Sequence, residues 1–154
     1  MADEILAKAL TAIGRKERTE AEMRSWLADR EVEPEEIDRV VGFLIENLAI
    51  DDARFARAFA ADKRELSGWG SERIEEALRA RGIPAELARE AIAPVPDESG
   101  ETESEVDRAV RVLRERGADL SEDRGRGRAL GLLARRGYSA DDAYAAIRRL
   151  AREG

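Results

Sequence analysis

The sequence predicts an all-α protein without a β-sheet. Apolar residues recur at helical spacing along most of the chain, and no segment shows the alternating pattern of a strand. Groups of three helices with similar ends follow one another, so we expect three tandem three-helix repeats with about nine helices. Because units of this kind contact mainly their neighbours, an elongated and curved molecule is expected.

Composition favours a folded chain with a heavily charged surface. Hydrophobic residues make up 43% of the 154 positions and charged residues 40%. Only seven residues are aromatic, so the core must be built largely from aliphatic side chains and alanine. The chain has no cysteine and no histidine, which excludes disulfides and nucleophile systems based on either residue. We therefore expect no cofactor, no metal site and no enzymatic activity.

Charge is spread unevenly along the chain. The net charge is −7, with −5 in residues 1–50, −3 in residues 51–100 and +1 in residues 101–154. Five arginines and no acid lie between Arg124 and Arg136. The overall balance argues against non-specific binding to polyanions, whereas the local cluster permits a contact with phosphates or carboxylates. No apolar run is long enough to span a membrane, and no signal sequence opens the chain, so a cytoplasmic protein is expected.

The first repeat is assigned to residues 1–50. Its second helix should begin at Thr19, which forms a capping-box pattern with Glu22. Trp26 falls on the apolar face of that helix and is interpreted as a core residue. Pro34 suits the first turn of the third helix, and Asn47 is a plausible end for it.

The second repeat is assigned to residues 51–93. Asp51 and Asp52 could be an acidic pair or metal ligands, but they stand where a helix should begin, and helix capping is preferred. Gly82 suits the position after a helix end. Trp69 lies in a Ser-Gly-Trp-Gly turn, where it could stack on a nucleic-acid base, although filling the gap between two helices is the simpler interpretation.

Residues 94–103 are rich in proline and acidic side chains and are assigned to a linker before the third repeat, residues 104–154. Thr102 and Glu105 form a second capping-box pattern, and Ser121 is a candidate helix start. The helix after Ser121 is weakened by three glycines, because glycine in a helix interior costs about 1 kcal/mol relative to alanine.

A short motif ends the middle helix of each repeat. It has the form Leu-x-x-Arg-(Gly/Glu)-apolar and starts at Leu27, Leu78 and Leu133, at spacings of 51 and 55 residues. The physical interpretation is local: the leucine packs in the core, the next-to-last residue reverses the chain, and the last apolar residue closes the turn over the helix end.

These motifs resemble the RecX family, whose members are bacterial proteins that modulate the RecA recombinase. The resemblance is carried by Asp-Asp-x-Arg-Phe-Ala from Asp51, Gly-Trp-Gly from Gly68 and Leu-x-x-Arg-Gly-Ile from Leu78. It covers residues 9–93 closely and the last repeat loosely. The family motif positions, interpreted as mainly structural, are Asp51, Asp52, Phe55, Phe59, Trp69, Gly70, Leu78, Arg81 and Gly82.

The resemblance implies a nine-helix regulator that lies along the RecA–DNA filament, where it limits strand exchange, ATP hydrolysis and co-protease activity. DNA would be contacted through the filament, and we expect a monomer. An autonomous DNA-binding protein and a helical adaptor for another protein are the alternatives. Candidate contact residues are Arg124, Arg126, Arg128, Arg135 and Arg136, with Arg54 and Arg57 as a second set. A solvated helix face or pairing within the chain would explain the same arginines.

Overall fold

The computed structural model describes residues 2–153. In that part of the chain it contains nine α-helices and no β-strand, which confirms the predicted fold class. None of these helices is long and apolar enough to cross a membrane. The helices are α1 Ala2–Arg15, α2 Glu20–Asp29, α3 Pro34–Glu46, α4 Asp52–Leu66, α5 Ser71–Ala80, α6 Ala85–Ile92, α7 Glu105–Glu115, α8 Asp123–Arg136 and α9 Ala140–Glu153.

The described residues form two compact units. The first contains the chain up to Ala58 together with Leu78–Ala91. In this unit α1 and α2 pack against α3, and the core is aliphatic. Its fully buried residues include Met23, Leu27 and Leu44, each no more than 1% exposed.

The second unit contains Phe59–Ala77 and the chain from Ile92 onward. Here α7 and α8 pack against α9. The core again relies on small and aliphatic side chains, as the composition predicts, and Ala109, Leu113 and Ala146 are fully buried in it. The two units divide α4 and α5 between them, so they do not follow the predicted repeat boundaries, and those boundaries stay a prediction.

One local structure ends five of the helices. In each, a leucine carbonyl accepts a hydrogen bond from the amide five residues later, at 2.8–3.2 Å, and the residue before that amide has a φ between +60° and +97°. This is the Schellman arrangement, in which orphan carbonyls at the helix end are satisfied by the reversing chain. All five leucines are at most 1% exposed. They are Leu27, Leu44, Leu78, Leu113 and Leu133.

The leucine caps confirm the physical interpretation of the repeated motif and add two copies to it. Leu44 ends the third helix of the first repeat, where Asn47 and Leu48 stand in place of the arginine–glycine pair, and Leu113 ends the first helix of the third, where Arg116 and Gly117 supply that pair. The repeated motif itself could have found Leu113, whereas for Leu44 the available signal is only a leucine followed five residues later by a small apolar residue, Ala49.

Two predicted helix starts are wrong. The cap of α7 is Ser104 with Asp107, a complete capping box, and not Thr102 with Glu105. Ser121 lies outside α8, where its hydroxyl donates to Asp119 at 2.7 Å. The capping box of Thr19 and Glu22 is present as predicted.

Candidate interaction surfaces

The two adjacent aspartates at the start of α4 cap two different helices. Asp51 accepts a hydrogen bond from the Arg54 amide at 3.0 Å, which caps α4 itself. Asp52 instead accepts from the Glu20 amide at 2.9 Å, in the first turn of α2. Burial raises the pKa of Asp52 above its ordinary value, despite the hydrogen bond from Glu20. Capping therefore accounts for both carboxylates.

Asp52 belongs to a contact in which the start of α2 meets the end of α5. The Thr19 hydroxyl donates to the Arg81 carbonyl at 2.7 Å, and a Cβ added to Gly82 would collide with Ala21. The positive N-terminus of one helix thus faces carbonyls at the C-terminus of another, which is favourable for both dipoles. We call this contact the first joint. It comprises Thr19, Glu20, Ala21, Asp52, Arg81 and Gly82.

The Arg81 side chain adds an ion pair and a ring contact to the first joint. It makes a bidentate ion pair with Glu22, with nitrogen–oxygen distances of 2.6 and 2.9 Å, and its guanidinium lies 4.6 Å from the centroid of the Phe55 ring. Burial alone would raise the pKa of Glu22, but the hydrogen bonds from Arg81 and the Thr19 amide outweigh it and lower that pKa. These contacts agree with the structural interpretation of Phe55 and Arg81, which stays a prediction.

The second unit contains the same arrangement one repeat further along. The Gly70 amide donates to the Arg136 carbonyl at 2.7 Å, and the Ser71 amide donates to the Glu105 carboxylate at 2.6 Å. Gly137 packs so closely on Arg73 that an added Cβ would collide with its backbone. We call this contact the second joint, and it comprises Gly70, Ser71, Arg73, Glu105, Arg136 and Gly137.

The two joints explain why the motif needs glycine where it has it. Gly82 and Gly137 occupy equivalent places, at φ +85° and +97°, each pressed against the start of another middle helix. In the first copy of the motif the same place holds Glu31, which is exposed at φ +61°. Glycine at these two positions is therefore explained by the close packing of a neighbouring helix as well as by its positive φ.

Trp69 fills a gap between helices, as the sequence analysis prefers. Its ring meets Phe59 edge-on at 6.3 Å between centroids. The Arg73 guanidinium lies 4.0 Å from its centroid and the Lys63 ammonium 4.7 Å. These cations cover the indole, so it is not presented for stacking on a base.

The five arginines of the basic run do not share one surface. Arg124, Arg128 and Arg135 are four and eleven positions apart, which places them on one side of α8, and all three are exposed. We call this set the α8 arginine face. Gly131 lies within it, against the Arg135 guanidinium.

Arg126 and Arg136 serve the fold. Arg126 forms an ion pair with Asp123 and donates to the Leu120 carbonyl at 2.8 Å. Arg136 donates to the Ser67 carbonyl at 2.9 Å. Both side chains are half-buried, so these two candidates differ from the three on the α8 arginine face.

A groove runs beside the α8 arginine face. Its volume is about 460 Å³, and Arg116, Arg128 and Arg135 supply positive charge to it. One carboxylate, Asp119, lies in the same lining, and hydrogen bonds from Ser121 lower its pKa, helped by the charge of Arg128. Four of the lining residues are glycines, Gly117, Gly125, Gly127 and Gly131, and the lack of a side chain at these positions leaves room for close approach to the backbone.

Arg54 and Arg57, the second set of candidate contact residues, also differ from each other in their contacts within the chain. Arg54 is exposed but forms an ion pair with Glu17 at 3.4 Å and donates to the Leu48 carbonyl at 3.2 Å. Arg57 is exposed on α4. Pairing within the chain, which the sequence analysis weighs against partner contact, therefore accounts for Arg54.

Sequence reasoning missed one cluster. Trp26 is half-buried rather than a core residue, and the Arg30 guanidinium lies 3.7 Å from the centroid of its ring. Arg18 approaches the same ring at 5.6 Å. The i, i+4 spacing of Trp26 and Arg30 was the available signal, because residues so spaced on a helix are neighbours.

Nine helices with recurring leucine caps and two similar joints between helix ends define an all-α helical-repeat protein. Within residues 2–153, no group of three or more acidic side chains is placed to hold a metal ion. Family models described as the first and second three-helix domains of RecX match residues 6–44 and 51–92. The chain belongs to the RecX family.

Relatives and solved structures agree with this assignment. The regulatory protein RecX of Deinococcus radiodurans is 35% identical over 96% of this chain and 68% of its own length. That of Thermobifida fusca is 34% identical over 92% of this chain and 76% of its own. The crystal structure of RecX from Lactobacillus salivarius has a similar fold, with a TM-score of 0.80 and 20% identity over 97% of this chain and 96% of that one.

Proposed function

We propose that this protein is a non-enzymatic regulator that binds the RecA–DNA filament and inhibits recombinase, ATPase and co-protease activity in DNA repair and the SOS response. The observation that carries the proposal is the match of both RecX domains to residues 6–44 and 51–92, together with relatives named regulatory proteins. The protein would act in the cytoplasm, as a monomer, and would contact DNA through the filament.

The amino-acid inventory supports a regulator rather than an enzyme. The chain lacks histidine and cysteine, the side chains that most often act as a neutral-pH base or thiol nucleophile. Its motif carboxylates Asp51 and Asp52 are engaged in capping. The joints hold the motif residues together, so the motif describes a scaffold that positions surfaces.

The α8 arginine face is the surface we assign to the filament. Three exposed guanidinium groups on one side of a helix can bind phosphates or carboxylates through paired hydrogen bonds. The net charge of −7 opposes binding to bare polyanions, whereas a filament offers protein surface as well as phosphate. Contact through this face agrees with both facts.

Co-sedimentation with preformed RecA–single-stranded DNA–nucleotide filaments tests the proposal. The variant Arg124→Glu/Arg128→Glu reverses two exposed charges four residues apart on α8, and we expect it to lose most retention while keeping its helical circular dichroism. Arg148→Glu/Arg152→Glu is the matched control, because it reverses two exposed arginines at the same spacing on α9.

The outcomes separate the alternatives. Retention of the parent protein on filaments but not on bare DNA, lost in the α8 variant and kept in the α9 variant, is the expected result. Equal retention on bare DNA would favour the autonomous DNA-binding protein. Retention on neither would mean that the RecX fold serves another partner, and equal losses in the two variants would reject the α8 arginine face as the contact.

A further inference from the structure

The end of α3 exposes a concentration of large apolar side chains. Seven such side chains are exposed in the described part of the chain, and three of them lie between positions 43 and 48. Phe43 is 44% exposed, Ile45 39% and Leu48 64%. Their positions span about 8 Å along a helix axis. Single exposed apolar residues are ordinary on a protein surface, whereas a local group of them indicates a place of contact.

Leu48 is also held in a conformation that leucine seldom adopts. Its φ is +60°, in the left-handed region, where the Cβ of an L-residue is crowded by its own backbone. Among the five leucine caps, three have glycine at this place and one has Glu31, whose side chain is polar. Leu48 therefore combines backbone strain with an apolar side chain in water. Asparagine would relieve both.

The cap of α3 does not account for the Leu48 side chain. Its hydrogen bonds come from backbone amides, since the Leu48 amide donates to the Ile45 carbonyl at 3.0 Å and the Ala49 amide to the Leu44 carbonyl at 2.8 Å. The apolar contact that accompanies such a cap belongs to the residue after the left-handed one. Here that residue is Ala49, which packs against the core of the first unit.

Charged groups of both signs lie beside Leu48. Arg54 donates to the Leu48 carbonyl at 3.2 Å, and Arg57 is exposed one turn further along α4. Glu46, in the last turn of α3, is exposed as well. Apolar side chains within a polar rim are typical of contacts between proteins. A nucleic-acid backbone would be repelled by Glu46 and would leave the leucine in water.

We propose that Leu48 inserts into an apolar pocket on a protein subunit of the RecA–DNA filament, with Arg57 against a carboxylate at the edge of that pocket. Such a pocket would remove from water the side chain that the cap leaves exposed. The inference rests on the proposed function and adds to it a contact of different chemistry. The α8 arginine face binds anionic groups, whereas Leu48 binds an apolar one.

The variant Leu48→Asn tests the contact and keeps the fold intact. Asparagine is tolerated at positive φ, so the midpoint of urea unfolding should be no lower than that of the parent protein. In co-sedimentation with preformed filaments, the apparent affinity should fall about tenfold or more, because a leucine side chain is withdrawn from a buried contact.

The dependence on salt distinguishes this contact from the α8 arginine face. The affinity ratio of parent to Leu48→Asn should be similar at low and physiological salt, because salt does not screen apolar burial. The deficit of Arg124→Glu/Arg128→Glu should shrink as the salt concentration rises, because salt screens the attraction that those arginines supply.

Two further variants serve as controls. Leu66→Asn removes the same side chain from a position on α4 that is 82% exposed, and it should leave the affinity for filaments unchanged. Leu48→Met keeps an apolar side chain of similar volume and should retain the affinity of the parent protein.

Four results would overturn the proposal. Equal retention of Leu48→Asn and the parent protein would reject this contact and leave the α8 arginine face in place. Equal losses in Leu48→Asn and Leu66→Asn would mean general apolar adhesion. A lower urea midpoint for Leu48→Asn would make Leu48 a folding residue. Self-association of the parent protein that Leu48→Asn abolishes, measured by sedimentation velocity without filaments, would assign Leu48 to a contact with a second copy of this chain.

Failure of the proposed function gives a different result. In that case the parent protein itself would not be retained on filaments, and this contact would be rejected with it. Retention of the parent protein with an unchanged affinity in Leu48→Asn rejects the Leu48 contact alone.

Discussion

Glu31 and Gly82 hold the same place in the repeated motif but have different constraints. Both residues have positive φ, at +61° and +85°. A side chain in this conformation costs about 1–2 kcal/mol. Gly82 also has Ala21 against it, whereas Glu31 is exposed. The two positions therefore separate the cost of backbone strain from the cost of close packing.

Substitution in opposite directions should show this difference. Gly82→Ala should destabilise the protein by at least about 2 kcal/mol, since strain adds to a collision in the first joint. Glu31→Gly should raise stability by no more than about 1 kcal/mol, because strain relief is offset by the greater freedom of unfolded glycine. Urea unfolding followed by circular dichroism measures both. A tolerated Gly82→Ala would contradict the packing of the first joint.

Asp107 links a helix cap to a surface ion pair. It accepts from the Ser104 amide at 3.0 Å and from Arg149 at 2.6 Å. The Arg149 hydrogen bond, together with the Ser104 amide, lowers the pKa of Asp107 to about 2. A carboxyl whose folded pKa lies below its unfolded value stabilises the protein above the unfolded pKa, and this contribution is lost as pH falls toward the folded one.

The effect of Asp107→Asn should therefore depend on pH. At neutral pH we expect a loss of up to about 1 kcal/mol, the range of partly exposed pairs. The difference between parent and variant should shrink below about pH 4 and be mostly lost by pH 2, because it disappears only below the folded pKa of about 2. Chemical unfolding at a series of pH values measures this difference in the free energy of unfolding. A difference that stayed constant from pH 7 to pH 2 would show that stability does not depend on the titration of Asp107.

At the scale of the element, α8 is a helix that carries more glycine than its own packing requires. A Cβ added at Gly125 would collide with the Asp119 carbonyl, so this glycine is needed. A Cβ at Gly127 would meet nothing within 4 Å, and one at Gly131 would meet only the Arg135 guanidinium. The last two glycines weaken the helix without serving the internal packing of the described chain.

Alanine substitutions at the first two glycines should have opposite signs. Gly127→Ala should stabilise the protein by about 1 kcal/mol, the propensity difference within a helix. Gly125→Ala should destabilise it, because the α8 backbone would have to move away from Asp119. Thermal and urea unfolding compare the two variants. Destabilisation by Gly127→Ala would show that the open space beside it is occupied in the folded protein.

The helix starts show which parts of the fold were predictable. Thr19 and Glu22 were found from sequence because their capping box is local and has no competitor nearby. Around residue 104 the sequence contains two overlapping capping-box patterns, Thr102 with Glu105 and Ser104 with Asp107. The structure forms the second of them. Contacts from far along the chain favour that choice: Arg149 binds Asp107, and the Ser71 amide binds Glu105. Local pattern alone could not decide between them.

Some features of the candidate surfaces could also be predicted from the sequence, and others could not. Helical spacing is enough to place Arg124, Arg128 and Arg135 together and Arg126 on the other side of α8. Spacing is not enough for Trp26, because its exposure depends on what packs over the ring: Trp26 packs against the core of the first unit, and Arg18 and Arg30 also lie close to its ring. The joints also escape prediction, since each joins residues at least 30 positions apart.

At the scale of the molecule, the joints tie distant parts of the chain through helix ends. The Thr19 hydroxyl is fully buried, caps α2 and also satisfies the Arg81 carbonyl, 62 positions away. Ser104 caps α7 from an exposed position. These two residues compare a cap that belongs to a joint with one that does not.

Removal of each hydroxyl should measure what a joint adds. Ser104→Ala should cost about 1 kcal/mol, the ordinary value of a helix cap. Thr19→Ala should cost about 2–4 kcal/mol, because the Arg81 carbonyl is also left without its partner in a buried place. Equal costs for the two variants in urea unfolding would show that the first joint contributes no stability through Thr19.

The five leucine caps have a consequence for the order in which the chain acquires structure during synthesis. Each cap involves six consecutive residues. The residues that end a helix therefore leave the ribosome directly after the helix itself. Structure specified over such short distances requires little loop closure and forms quickly. The ends of the helices can thus form as the chain emerges, and only the joints must wait, the first for Gly82 and the second for Gly137.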